Sequence, residues 1–510
     1  MKVKLLFASA VSACFELENE TIYYAEKEFD VYLDGKLAIK GEKRNVFSIF
    51  NLEPGRSYVL KVGDFELPFK TEDVSLTLHM KDFKRGSYPN DDNRIAAAIA
   101  TLPPKGLLVF DEGEYHATNI FLKSEITIEL KKGATIYGNP NVEDYTVYPG
   151  EVDDGKGGKK QLLTWEGGPL QGKPSLIHGC YAHHVRLVGE GKIDAMADKS
   201  VFWINVKKLG YARPRTVYLL ECEDVRLHGV DVGNSPSWTI HPYFSKHLGF
   251  YDLKIHNPKD APNTDGLDPE CCEDVEIIGT YFSVGDDCIA IKSGKIYIGK
   301  TYKTPSRHIT IRNCYMHEGH GAVVLGSEIG AGLVDLKVER CFFEHTDRGL
   351  RIKSRRGRGK DSVLDGIVFK NIKMQNVLSP LTMTMFYFCD PDGKDEWVQK
   401  KTPSPIDDGT PYLGSFLFEN LECRDCEYAL GVFYGLPERP IGKIVIKDST
   451  FTVKENAGSG HPVMMCDFPE CGQRGFIFVN VGEVELENVE ASGFKGEEFD
   501  LTNVGSLKRK

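Results

Sequence analysis

The chain of 510 residues is 41% hydrophobic and 27% charged, which excludes disordered and collagen-like chains and is long for one compact domain unless a repeat absorbs it. A formal net charge of −11 and a pI near 5.8 argue against a general nucleic-acid binder, so a polyanionic ligand would need a locally basic cleft. The thirteen cysteines are an odd set without four-ligand zinc spacing and read as reduced, buried thiols.

The first residues, MKVKLLFASAVSAC, imitate a signal peptide, but the apolar run Leu5 to Val11 is short for one and reads as a first β-strand. A cytoplasmic address is expected, with secretion as the alternative if residues 1–13 act as a signal. No stretch approaches the ~20 apolar residues of a membrane span. Residues 1–77 alternate as strands around turns such as Asp34-Gly35 and predict a small β-sandwich. Leu52-Glu-Pro-Gly-Arg-Ser-Tyr58 resembles the tyrosine corner of fibronectin type III sandwiches. No chemistry is evident in this module, which is expected to pack on the second domain or lengthen its cleft.

Residues 78–510 open with a helical pattern, Asp92 to Leu102, for which Asp91 or Asp92 is the expected cap. Short apolar alternations follow, starting at Val225, Leu253, Val275, Ile309, Leu336 and Ile367, with repeats of 28, 22, 34, 27 and 31 residues. Strand-like repeats of this length exclude helical solenoids and propellers and predict an all-β fold, a right-handed parallel β-helix.

Downstream of these starts stand Asn263-Thr-Asp-Gly, Gly285-Asp-Asp, Gly319-His-Gly and Asp347-Arg-Gly-Leu-Arg-Ile-Lys353. Each alone describes a turn. At one position of successive coils they bring Asp265, Asp286, Asp287, His320, Arg351 and Lys353 into one patch. Carboxylates held together repel, which raises at least one pKa and leaves a proton to donate. Glycoside hydrolysis needs such an acid beside a second carboxylate, and direct water attack calls for a spacing of ~6.5–9.5 Å.

These four loops resemble the ordered signature of glycoside hydrolase family 28, the polygalacturonases, and the resemblance runs from about Asp82 to at least Arg439. It implies inverting hydrolysis of galacturonate-containing pectic saccharides without metal or cofactor, and with no nucleic-acid or membrane partner. Asp286 is then the general acid, Asp265 and Asp287 hold the water, and His320 tunes the acid. Asn263, Lys292, Arg351, Lys353 and Tyr387 are the expected substrate-binding residues. Asn234-Ser-Pro-Ser-Trp, Gly326-Ser-Glu328 and Tyr434-Gly-Leu-Pro-Glu438 resemble the bacterial exo-acting branch. Long insertions, Tyr145 to Gln171 and Asp390 to Thr410, are expected to wall the cleft. The five cations between Arg351 and Arg358 are expected to focus a polyanion there. Alternatives are a rhamnogalacturonan or xylogalacturonan hydrolase, a pectate lyase, and a non-catalytic carbohydrate-binding β-helix. The oligomeric state is left open.

Overall fold

Apolar alternation makes parallel strands here because each inward side chain stacks on its equivalent in the next coil. The computed structural model describes residues 1–209, 213–295 and 304–510. It sets Val225, Leu248, Val275, Ile309, Leu336 and Ile367 in one parallel register. The same stack continues through Phe416, Ile444, Val484 and Leu507, so the chain from Leu76 onward is a parallel β-helix. Its coils have three walls, illustrated by Glu273–Ile278, Tyr281–Ser283 and Asp287–Ile291. No helix among the described residues is long and apolar enough to cross a membrane.

One expected start is displaced. The partner of Val225 is Leu248, and Lys254–His256 is a second-wall strand paired with Asp231–Gly233. The repeats are therefore 23, 27, 34, 27 and 31 residues. The cause is that every coil turns twice through a left-handed residue. Asp224 (φ 52°), His247 (54°), Asp274 (55°), His308 (54°) and Asp335 (57°) stand near the start of the first wall, whereas Asp252 (48°), Asn313 (50°), Arg340 (54°) and Asn371 (55°) lead into the second. Asp and Asn tolerate this conformation best. The segments starting at Asp224 and at Asp252 therefore look alike although they open different walls.

Helix Asp91–Thr101 buries Ile95, Ala98 and Ile99 against the first coils. Its cap is Asn90, whose side chain accepts from the Asn93 amide at 2.9 Å, in place of the expected Asp91 or Asp92. Those two carboxylates instead accept from the His116 and Thr118 amides, which ties the helix to the sheet it covers. All thirteen cysteines are free thiols, and only Cys389 is exposed.

Ahead of the β-helix, seven antiparallel strands form a three-stranded and a four-stranded sheet around Phe15, Val31, Phe47 and Leu60. Val3–Ala8, the stretch that imitates a signal peptide, is a strand paired with Ala13–Leu17. Tyr58 closes the predicted corner by accepting the Glu53 amide at 2.8 Å. The sandwich lies along the second series of coil corners. Phe50 covers Gly229 and Val46 covers Gly279; Arg44 and Ser48 each bind Asp252 at 2.6 Å. Asn45 reaches Asn313 at 3.1 Å, the Tyr23 amide the Arg340 carbonyl at 3.1 Å, and Glu20 Asn371 at 3.0 Å.

At the centre of this contact Glu16, with no side-chain exposure, takes Arg312 at 2.7 Å and Arg340 at 2.9 Å. Burial alone would raise its carboxyl, but Arg312 and Lys4 hold it below the ordinary value. A depressed native pKa adds stability that is complete above the unfolded value of about 4.3 and is lost as pH falls through the native one. Glu16→Gln is expected to cost about 1.5–3 kcal/mol at pH 7. Urea unfolding checks this, and the difference from wild type should shrink in acid; an unchanged midpoint would count against Glu16 as the anchor.

Candidate active site

Leu267, Ile289, Val323 and Leu350 pair in succession along the third wall. Two residues before each stand Asp265, Asp287, Gly321 and Arg348. Asp265 and Asp287 thus occupy one position in successive coils, and the next coil must leave that position empty. A Cβ at Gly321 would lie 2.5 Å from Val324 and 3.3 Å from the Asp287 carboxylate. Gly319, at φ +150°, would bring a Cβ to 2.8 Å from the Cys288 sulfur. Both glycines of Gly-His-Gly are therefore required by close approach. Between them the His320 amide donates to the Asp286 carbonyl at 2.9 Å, and its Nδ1 sits 3.2 Å from Asp286 Oδ1.

One carboxylate oxygen from each of Asp265, Asp286 and Asp287 lies within 4.8 Å of the other two. Such convergence fits the ~4.8 Å step between neighbouring coils. The side chains of Asp265 and Asp287 are 6% and 1% exposed, that of Asp286 21%.

Their electrostatics differ. Burial, then Asp268 and Asp286, push Asp265 well above the ordinary carboxylate range, so the raised pKa expected of the group falls on this member. Burial also acts on Asp287, but Lys353 at 2.7 Å and Arg351 at 3.1 Å hold it low. The hydrogen bond to Asp286 raises the His320 imidazole, so it stays protonated to higher pH than a free histidine.

A cleft of about 350 Å³ is lined by all the sequence-predicted site residues except Asp287, which lies beneath it. Asn263 accepts from Arg213 at 2.9 Å. Arg351 and Lys353 share Asp287, and Tyr387 lies with its ring 6.0 Å from the Lys353 ammonium. Lys292 is only 3% exposed and is enclosed by Glu328 at 3.2 Å, Asp268 at 3.7 Å and Asp265 at 4.0 Å. The basic run does not behave as expected. Arg355 pairs with Asp390 and Asp392, Arg356 with Glu438, and Arg358 with Asp390, so three of the five cations are neutralised internally.

Sequence reasoning left Trp238, Glu328, Glu166, Lys295, Asp390 and Met464 without a role, although all line the cleft. Trp238 and Glu328 stand inside quoted motifs. Glu166 and Asp390 come from the two insertions and both pair with Lys295. Met464 comes from a segment that carries no repeat signal. Trp165 stacks parallel to Trp238 at 6.5 Å, with the Arg215 guanidinium between them at 4.6 and 4.8 Å.

Residues 160–396 match the family model described as Glycosyl hydrolases family 28, a stretch that contains all four loops. The chain is 32% identical over 362 residues to the exo-poly-alpha-D-galacturonosidase of Dickeya chrysanthemi, covering 62% of this chain and 58% of that protein. It is 30% identical over 268 residues to a probable polygalacturonase of Vitis vinifera, covering 51% and 52%. Over these matches the chain spans about half to two thirds of its curated relatives' length. The fold is shared with the family 28 exopolygalacturonase of Yersinia enterocolitica, at a TM-score of 0.74 and 18% identity over 100% of this chain and 98% of that one. An exopolygalacturonase of Thermotoga maritima follows, with a TM-score of 0.65 and 24% identity over 83% and 93%.

Proposed function

We propose that the chain is a glycosyl hydrolase of family 28, the family whose model residues 160–396 match, and that it hydrolyses α-1,4-galacturonosidic bonds, removing sugars from the non-reducing end. Asp286 protonates the departing glycosidic oxygen, Asp265 and Asp287 hold and deprotonate the attacking water, and His320 tunes the acid. The observation that carries this reading is that Asp286 is the one partly exposed carboxylate of three that converge within 4.8 Å. Arg351 and Lys353, with Asn263 and Tyr387, take the substrate. A guanidinium has five donors and an ammonium three, so these two cations can hold Asp287 and a galacturonate carboxylate together. We assign residues 1–77 to a fibronectin type III-like sandwich on its tyrosine corner and residues 78–510 to the catalytic β-helix.

Inversion is inferred from the family that residues 160–396 match. Exo action is supported by the two insertions that meet at Lys295 and by the names of one curated relative and two structural neighbours, against two curated relatives named endo-polygalacturonases. Time-resolved sizing of a defined oligogalacturonide should give monomer from the outset, with proton NMR showing the β-anomer first. A spread of sizes would refute exo action, and net retention would refute water attack. An ultraviolet-absorbing unsaturated product would point to a lyase, and release from rhamnogalacturonan alone would move the substrate.

A further inference from the structure

We propose that Lys292 is a positioning residue whose buried ammonium fixes the charge of the water-holding Asp265 and does not grip the substrate. This rests on the reading of function above. Sequence reasoning placed Lys292 among the substrate ligands, and the geometry opposes that. Its ammonium faces Asp265 and Asp268 on the preceding coil and Glu328 on the next, all within 4.0 Å. A galacturonate carboxylate approaching it would meet three acids around one cation. Arg351 and Lys353, by contrast, are two cations around the single acid Asp287, which leaves a net positive charge for the substrate. Trp238 flanks it, with its ring centroid 4.3 Å from Lys292 Nζ.

The neighbourhood behind Lys292 makes its charge indispensable. Both carboxylate oxygens of Asp268 are buried without a hydrogen-bond partner, so the Lys292 ammonium at 3.7 Å is its main counter-charge, with Lys353 acting from farther away. Deeper in, Glu270 binds His241 at 2.9 Å with both side chains fully buried, and Arg215 lies beside them. Asp287 shares the Lys292 strand, while Lys353, Lys295 and Arg358 act on Glu328 from the far side. Burial raises both carboxyls while Lys292 pulls against it, which leaves Asp268 at about 7 and Asp265 well above the usual range. Burial would neutralise Lys292 itself, but Glu328, Asp268 and Asp265 keep it charged. Asp265 must be ionised to accept a proton from water, so Lys292 sets the pH at which the site becomes competent.

The test is the pH dependence of kcat/KM on polygalacturonate for wild type, Lys292→Met, Lys292→Arg and Glu328→Gln. Loss of the cation should move the acid limb upward by about one unit or more, a roughly tenfold loss at fixed acidic pH, with KM on the plateau nearly unchanged. Lys292→Arg should restore the limb. Glu328→Gln should move it downward, because the ammonium then serves Asp265 more fully; misfolding cannot produce shifts of opposite sign. If Lys292→Met fails to fold, the Arg and Gln variants decide. An unmoved limb, or a rise in KM alone, would overturn the proposal. Carbon NMR of the labelled Asp265 carboxyl reads the same shifts without substrate. An inactive wild type would therefore sink the reading of function and leave those shifts to decide the role of Lys292.

Discussion

Asp286→Asn is expected to lower turnover by about 10²-fold or more while leaving KM within a few-fold of wild type. The amide keeps the shape of the carboxyl and can still accept from His320, but it has no proton to transfer to a leaving oxygen. A second readout comes from the imidazole. The bond to Asp286 is the first cause of the raised His320 pKa, so in the variant that histidine should lose its charge at lower pH, visible by proton NMR. Unchanged turnover together with the histidine shift would show that the substitution took effect and that the acid is another group.

Lys353→Ala should reduce kcat/KM by about 10²-fold, since truncating one partner of a buried, hydrogen-bonded charge pair costs about 2–5 kcal/mol and about 1.4 kcal/mol is tenfold. Two losses combine. Asp287 keeps only Arg351, at 3.1 Å, and the substrate loses one cation of the pair. Removing the cation raises Asp287, so the loss should deepen as pH falls, whereas a simple loss of substrate contact would be the same at every pH. Steady-state kinetics across the acid range separates these, and a variant within a factor of about three of wild type would mean that Lys353 is dispensable to both.

The three aspartates were legible because they occupy turn sequences at one position of a repeat, and a repeat turns distance along the chain into adjacency. The slip from Leu248 to Leu253 has the same origin: two corners per coil share one backbone conformation and invite the same residues, so local pattern cannot tell the walls apart. Sequence showed the cations Arg355, Arg356 and Arg358 but not that Asp390, Asp392 and Glu438 would quench them, because Asp390 and Asp392 arrive on an insertion outside the repeat and Glu438 on the turn that follows Ala429–Tyr434. It likewise presented Lys292 as one more cation. The three acids around it come from two neighbouring coils, and only their convergence reverses its meaning.

A solenoid in which each turn touches only its neighbours tends to unravel from its ends like a zipper, one layer at a time. The N-terminal sandwich crosses that tendency. It is bolted to six consecutive corners, Gly229, Asp252, Gly279, Asn313, Arg340 and Asn371, and these belong to the same layers that carry Asp265, Asp286, His320 and Arg351. The sandwich therefore acts as a splint. Layers within its span must open together, while those from Phe416 onward lie outside the splint and touch the site only through loop residues such as Glu438 and Met464, so loosening at the far end of the rod reaches the cleft wall before the catalytic coils.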